Sequence, residues 1–277
     1  MQVLRVVGGK PLVGQTDIPG SKNTALAILS AVILAKGKTV LTNVPYVRDV
    51  DIKLRLIERF GATVVREGDR LEIDATELRL SEVGEELVRP IRTSFYLLGS
   101  LLARLGEAKL PAPGGCKIGA RPVDFHFKGL ARMGAEVDLE GGVYHAKADD
   151  LHGAEIYLDF PSAGATQHLM ATATLSNGVT KIENAAIEPE VTVLADFLKK
   201  LGARIEGDGT NTITITGVSE LRGCEFRVPE DRLQAGTYLL AGAITGGDVT
   251  VNGVFPEHQT ALINKLREAG AVTEEGN

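Results

Sequence analysis

The feature that most limits what this chain can fold into is a long internal repeat, present four times over. The phrases "IERFGATV", "LARMGAEV", "LKKLGARI" and "LREAGAVT" each set a glycine behind an apolar helical pattern. These glycines, Gly61, Gly134, Gly202 and Gly270, are almost evenly spaced. A second marker precedes each one, a glycine that closes an apolar segment and opens a strand-like run: "KGKTVLTNV", "LGEAKLPAP", "NGVTKIENA" and "GGDVTVNGV". Here Gly37, Gly106, Gly178 and Gly246 keep nearly the same spacing as the first set. Two markers holding one period identify four copies of a single supersecondary unit.

Each copy begins with an apolar helix, such as 25–35 or 95–103, that a glycine ends in the manner of a helix C-terminus. A strand follows, then an amphipathic helix. In copy three Val191, Leu194, Leu198 and Leu201 share one face and leave Lys199 and Lys200 to solvent. The "LGA" glycine stops that helix, and two short strands follow, as in "GARIEGDG" and "NTITITGV". First helices that lack a charged face must be buried all round, which puts them inside with the sheets of each unit outside. The expected fold class is α/β, βαβαββ-type units with the helices inside their sheets. The fourth copy stops at Asn277 before its last strands. An unmatched sheet edge is left with unpaired backbone groups, so the chain is expected to be a fragment or part of a larger assembly.

Comparing the copies also singles out a site. The interval from Asn43 to Gly61 recurs unchanged from Asn184 to Gly202 and from Asn252 to Gly270, whereas the matching interval in copy two, Ala112 to Gly134, is longer. The extra residues fall in "PAPGGCKIGARP", 111–122. An insertion that breaks a repeat serves a site more often than packing. Cys116 sits there between glycines and beside Lys117 and Arg121, surroundings that depress a thiol pKa and leave it accessible. A half-buried loop cysteine is the other reading, and both stay open on spacing alone. Cys224, in "LRGCEFRV", reads as core.

Composition narrows the ligand. With 30 basic and 36 acidic residues the chain carries net charge −6, which argues against binding nucleic acid through bulk positive charge. An anionic ligand must meet locally placed cations. "PGSKNTA" puts Lys22 and Asn23 at the opening turn of the first buried helix, where N–H groups and the helix dipole favour phosphate or carboxylate. A plain N-cap beside an exposed lysine is the alternative. Equivalent starts recur in "RPIRTS" with Arg92, "PSAGAT" with Ser162, Ala163 and Gly164, and "EDRLQAGT" with Asp231 and Arg232. Converging starts would gather cations and backbone donors around one anion.

Other chemistry is not signalled. The five histidines, His126, His145, His152, His168 and His258, lack metal-ligand spacing and read as structural or surface residues, although His126 lies close behind the inserted loop. "GGKPLVG" matches neither a P-loop nor a dinucleotide fingerprint. "EPE" at 188–190 reads as a turn into a helix. Two cysteines and no leader-like stretch point to a soluble protein of a reducing cytoplasm, and the longest apolar run is too short for a membrane span.

The stretches "GGKPLVGQTDIPGSKNTALAILSA", "PGGCKIGARPVDFH", "LDFPSAGAT" and "NAAIEPEV" together resemble the UDP-N-acetylglucosamine 1-carboxyvinyltransferases, enolpyruvyl transferases of peptidoglycan synthesis. The likeness runs in register over the whole chain. It implies a two-domain inside-out barrel of six units. Residues 21–229 would form a complete three-unit domain, and 1–20 with 230–277 part of a second. The implied reaction moves the enolpyruvyl group of phosphoenolpyruvate onto the 3-hydroxyl of UDP-N-acetylglucosamine, with no cofactor or metal, in a cytoplasmic protein that is monomeric when full length.

Lys22 would hold phosphoenolpyruvate with Asn23 beside the reacting centre, and Cys116 would be the general acid. Arg121 would bind phosphate while Arg121, Pro122, Val123, Asp124 and Phe125 line the nucleotide pocket. Arg92 would contact either substrate, and Ser162, Ala163 and Gly164 the nucleotide. Asp231 and Arg232 would lie at the hinge and cleft wall. Gln167 and His168 depart from a Glu-Asn pair common in the family, and Ala163 from a common valine. A catalytic aspartate would lie past Asn277, so little turnover is expected of this chain alone. The alternatives are a 3-phosphoshikimate 1-carboxyvinyltransferase and a non-catalytic nucleotide-binding fragment.

Overall fold

All eight marker glycines adopt positive φ, from 60° at Gly246 to 108° at Gly202, the left-handed backbone that a side chain disfavours. The repeat is therefore a repeat of turns, written where only glycine reverses the chain without strain. The computed structural model describes residues 3–114 and 123–276 and divides into two units, Lys22–Val228 and Met1–Ser21 with Pro229–Asn277.

The larger unit holds three copies. Strand β1 (Val13–Asp17), in the smaller unit, precedes them in sequence. Copy one runs α1 (Lys22–Ala31), β2 (Ala35–Lys36), β3 (Lys38–Thr42), α2 (Arg48–Arg59), β4 (Thr63–Glu67) and β5 (Arg70–Asp74). Copy two runs α3 (Glu85–Val88), a 3-10 turn (Arg92–Tyr96), α4 (Leu97–Leu105), β6 (Glu107–Pro111), α5 (Asp124–Arg132), β7 (Glu136–Glu140) and β8 (Val143–Lys147). Copy three runs β9 (Glu155–Tyr157), α6 (Ala163–Ala173), β10 (Val179–Glu183), α7 (Pro189–Lys200), β11 (Arg204–Glu206) and β12 (Thr212–Thr216), followed by β13 (Leu221–Arg222) and β14 (Glu225–Arg227). In each copy the strand between the helices pairs antiparallel with the last strand, giving the orders β3-β5-β4, β6-β8-β7 and β10-β12-β11.

The apolar helices lie inside. From Thr24 to Ala31 and from Ala165 to Ala173 no residue of α1 or α6 is exposed, and α4 buries Leu97 to Leu102. The strands bury alternate residues: Leu71 and Ile73 of β5, and Ile213 and Ile215 of β12, face the helices. Each fully buried leucine or isoleucine contributes about 1.5–3 kcal/mol relative to exposure. The amphipathic α7 buries Val191, Leu194 and Leu198 and exposes Lys199 and Lys200, and Pro189 opens it. Cys224 is half-buried between β13 and β14, and burial raises its thiol pKa.

The leading strands are exchanged between copies. β1 comes before copy one in the chain but pairs with β15 (Asp248–Asn252) of copy four, while β14 comes before copy four but pairs in parallel with β3 of copy one. β9 stays with its own copy beside β10. A repeated asparagine ties these strands down. Asn43 Nδ2 donates to the Val228 carbonyl at 2.8 Å and Asn184 Nδ2 to that of Leu158 at 2.7 Å, both carbonyls directly following the parallel strand. Both asparagines take left-handed φ, 57° and 54°, which asparagine tolerates better than other side chains. Copy two has Ala112 at this point, and among the described residues its sheet has no parallel member.

Two expectations are corrected. Gly106 caps its apolar helix directly, its N–H reaching the Leu102 carbonyl, and Gly246 closes the fourth with its N–H on the Ala243 carbonyl, whereas Gly37 and Gly178 follow an extra turn after α1 and α6. The fourth apolar helix, α8 (Arg232–Ile244), is not buried all round: it buries Ala235, Gly236 and Gly242, while Ile244 is 87% exposed and Leu233 50%. In the smaller unit only β1, β15, a 3-10 turn (Pro256–Gln259) and α9 (Thr260–Glu268) accompany it among the described residues. They are too few to enclose a helix.

Candidate functional site

Lys22 is the first residue of α1, and its Nζ lies 3.5 Å from the Asp49 carboxylate at the start of α2. Asn23 is exposed beside it. An anion arriving here would compete with a carboxylate that already holds the lysine in a partly exposed ion pair, itself worth at most about 1 kcal/mol.

Arg92 opens the 3-10 turn of copy two. That turn is anchored from below: Lys53 of α2, wholly buried, donates through Nζ to the Thr93 carbonyl at 2.5 Å. Burial holds the Lys53 pKa well below the ordinary lysine value, because the charged form is penalised away from water. Ser94 Oγ donates to the Val88 and Ile91 carbonyls at 2.9 and 2.6 Å, fixing the entry to the turn. Arg92 and Tyr96 are thus presented from a rigid base.

Two further segments meet there. α5 begins at Asp124 after Val123, so Asp124, Phe125 and His126 occupy its first turn. Asp124 Oδ2 pairs with Lys128 at 3.1 Å while its buried Oδ1 has no partner among the described residues. α6 begins at Ala163, and Ser162 Oγ caps it by accepting from the Ala165 N–H at 3.3 Å. The remaining first-turn N–H groups of a helix have no intrahelical partner and attract anions. A Cβ at Gly164 would lie 2.6 Å from the Tyr96 hydroxyl oxygen and 3.7 Å from His126 Cε1, so any side chain there displaces the tyrosine hydroxyl. The Tyr96 and His126 ring centres are 5.8 Å apart.

Behind this surface lies a buried histidine pair. His126 Nδ1 and His168 Nδ1 are 2.9 Å apart, and His168 Nε2 accepts from the Gly99 N–H at 2.9 Å. Burial, with the positive charge of Arg92 adding to it, pushes the His126 pKa down to about 3. Burial, then His126 and Lys53, lower that of His168 well below the usual imidazole range. Both rings are neutral at physiological pH. The arrangement offers a cation, a helix N-terminus, a phenol and an unpaired carboxylate oxygen within one side of the larger unit. Such a set suits a phosphorylated ligand carrying a hydrogen-bonding ring.

Of the residues singled out from sequence, Arg92, Val123, Asp124, Phe125, Ser162, Ala163 and Gly164 belong to this neighbourhood. Lys22 and Asn23 stand at the start of α1 in the same unit. Cys116, Arg121 and Pro122 lie outside the described residues. Asp231 and Arg232 belong to the smaller unit, where Asp231 caps α8 by accepting from the Leu233 and Gln234 N–H groups at 2.9 and 3.1 Å. Sequence reading passed over Lys53, Tyr96 and the His126–His168 contact. One signal for the last was available, since His168 falls inside an otherwise apolar buried helix. Among the described residues no group of three or more His, Cys, Asp or Glu side chains is placed to hold a metal, and no helix is long and apolar enough to cross a membrane.

Known proteins share this organisation. A family model described as EPSP synthase (3-phosphoshikimate 1-carboxyvinyltransferase) matches residues 6–277. The UDP-N-acetylglucosamine 1-carboxyvinyltransferase of Nostoc sp. strain PCC 7120 is 48% identical over 272 residues, 97% of this chain and 61% of the relative. UDP-N-acetylglucosamine 1-carboxyvinyltransferase 3 of Caldanaerobacter subterraneus subsp. tengcongensis is 45% identical over 275 residues, 99% of this chain and 66% of the relative. This chain therefore spans about three fifths to two thirds of the length of these curated relatives. The crystal structure of the enolpyruvyl transferase NikO from Streptomyces tendae superposes with TM-score 0.85 at 24% identity, covering 97% of this chain and 65% of that one. EPSP synthase from Acinetobacter baumannii gives 0.75 at 22% identity, covering 95% and 61%. The inside-out α/β architecture expected from the repeats is thus the fold of enolpyruvyl transferases, and the chain belongs to the EPSP synthase (3-phosphoshikimate 1-carboxyvinyltransferase) family.

Proposed function

We propose that this chain carries the nucleotide-binding part of an enolpyruvyl transferase that moves the enolpyruvyl group of phosphoenolpyruvate onto the 3-hydroxyl of UDP-N-acetylglucosamine, committing that sugar to peptidoglycan synthesis. The observation that carries the reading is the meeting of Arg92, the first turn of α5 and the Ser162-capped start of α6, joined to the names of relatives 45% and 48% identical. On this reading residues 21–229 are the complete three-copy domain, and 1–20 with 230–277 belong to a second.

Arg121 binds phosphate and the stretch Arg121 to Phe125 serves the nucleotide pocket, with the Asp124 oxygen that lacks a partner among the described residues as acceptor for a ring N–H. The nucleotide's phosphates take the α6 N-terminus, Ser162, Ala163 and Gly164. Lys22 and Arg92 neutralise the carboxylate or phosphate of phosphoenolpyruvate, and Asn23 orients the acceptor hydroxyl. Cys116 delivers a proton to the vinyl carbon as the hydroxyl oxygen bonds to the adjacent carbon and loses its own proton. Return of a proton from the newly formed methyl group to the Cys116 thiolate, as inorganic phosphate leaves and carries away the hydroxyl proton, then restores the double bond. Asp231 and Arg232 contribute to substrate binding. The work is done in cytoplasm by a protein monomeric at full length.

Calorimetric titration of the chain with UDP-N-acetylglucosamine and, separately, with shikimate 3-phosphate tests the acceptor. Binding of the sugar nucleotide alone is expected, and Ser162→Ala with Gly164→Ala should weaken it. Preference for shikimate 3-phosphate would replace the reading by the other branch of the family. Phosphate release in the presence of both substrates separates an active enzyme from a binding fragment.

A further inference from the structure

The buried histidine pair carries more information than its contact distance, because a backbone donor at one end fixes the protons along it. His168 Nε2 accepts from the Gly99 N–H at 2.9 Å, so it holds a lone pair and no proton. The single proton of a neutral His168 is then on Nδ1, 2.9 Å from His126 Nδ1. His126 Nδ1 must in turn be the acceptor, which leaves the proton of His126 on Nε2. The sequence of donors runs one way only: Gly99 N–H, His168 Nδ1–H, His126 Nε2–H.

Packing keeps this chain in line. α4 has no side-chain cap of its own, and Gly99 lies in its first turn, where N–H groups lack intrahelical partners. His168 therefore supplies from α6 the acceptor that α4 needs. A Cβ on Gly99 would overlap both His168 Nε2 and Thr172 Oγ1, so glycine is what lets the imidazole approach the backbone. Thr172 Oγ1 donates to the His168 carbonyl at 2.8 Å. Phe95 packs edge-on to His126 with ring centres 5.3 Å apart, and Tyr96 stacks on His168 at 5.9 Å.

We infer that His168 is a positioning residue: bonded to Gly99, it holds His126 with its proton on Nε2, so that His126 offers a hydrogen-bond donor to an anionic oxygen bound beside Gly164. His126 Cε1, the carbon between the two ring nitrogens, is the histidine atom that faces Gly164, and no described residue accepts from His126 Nε2. The outer part, that the oxygen belongs to a sugar-nucleotide phosphate, rests on the proposed function; the tautomers do not.

The test separates the two. Protein labelled with [15N]histidine is recorded in long-range 1H–15N correlation spectra without ligand. The expected spectrum shows His168 protonated on Nδ1 and His126 on Nε2. His168→Asn keeps an N–H near the place of Nδ1 and should preserve the His126 tautomer. His168→Leu removes the donor and should let His126 take the Nδ1–H form, with UDP-N-acetylglucosamine affinity falling on the order of tenfold, the loss of one hydrogen bond to a charged group. If the leucine variant does not fold, the wild-type and asparagine spectra decide alone. A His126 proton on Nδ1 in the wild type overturns the inference, as does a wild-type affinity unchanged in His168→Leu. Failure of the wild type to bind the sugar nucleotide would sink the proposed function, and the ligand-free spectra would still judge the tautomers.

Discussion

Replacing Lys53 by methionine should flatten the pH dependence of stability in the alkaline range. Lys53 is 0% exposed, and its amine meets the uncharged Thr93 carbonyl at 2.5 Å, so burial lowers its folded pKa well below 10.5. In the unfolded chain the same amine keeps its proton to about pH 10.4. Between the depressed folded value and the unfolded one, the unfolded state binds one proton more. Stability then rises with pH by about 1.4 kcal/mol per unit, and it is lost again as pH falls. Each pH unit between the depressed folded value and about 10.4 therefore adds about 1.4 kcal/mol of stability. Methionine has similar length and packs well in cores, and it cannot titrate. It strips the Thr93 carbonyl of its donor at about 1–3 kcal/mol, a cost independent of pH. Urea unfolding followed by circular dichroism at several pH values gives both slopes. Groups such as Cys224 titrate in both proteins and cancel in the difference. Parallel slopes for wild type and Lys53→Met would refute the lowered pKa of the buried amine.

Below neutrality the histidine pair sets the opposite flank. His126 has its pKa lowered to about 3 and His168 is also lowered, so the unfolded chain gains protons below about pH 6.5 that the folded one refuses, and stability should fall with acidification; His126→Phe should lessen the loss in the same urea assay. Gly99→Ala should cost about 1–3 kcal/mol by overpacking α4 against α6, read from the shift in urea midpoint. Gly164→Ala should weaken nucleotide binding with little change in stability, and adding Tyr96→Phe should restore part of the affinity, because the clash is with the hydroxyl oxygen at 2.6 Å. Asn184→Gly should be less destabilising than Asn184→Ala by about 1 kcal/mol, since both lose the bond to Leu158 but only alanine strains at φ 54°.

The repeat, its copy boundaries and the chemistry of its turns were legible in the sequence. Marker glycines, alternating strands and the Val191–Leu201 stripe are local signals, written within a short stretch and enforced by backbone sterics. The helix starts that carry Arg92 and Ser162 were legible for the same reason, because copies of one unit provide their own reference. Other features were not. α2 reads as amphipathic, yet Lys53 points inward; only the position of the 3-10 turn opposite decides that a carbonyl waits there for the amine. The exchange of β1 and β14 between copies one and four depends on which sheet edge each strand finds, and that edge belongs to a distant part of the chain. α8 looks as apolar as α1 and α6, but burial is a property of its neighbours and not of its own residues. His126 and His168 stand far apart in sequence, and nothing local says that α5 and α6 bring them to 2.9 Å. By itself the sequence determined the unit, its count and the candidate anion-binding turns; the tertiary structure decided which buried polar groups meet and therefore where the protons lie, because proton position answers to partners across a packed interior rather than to neighbours along the chain.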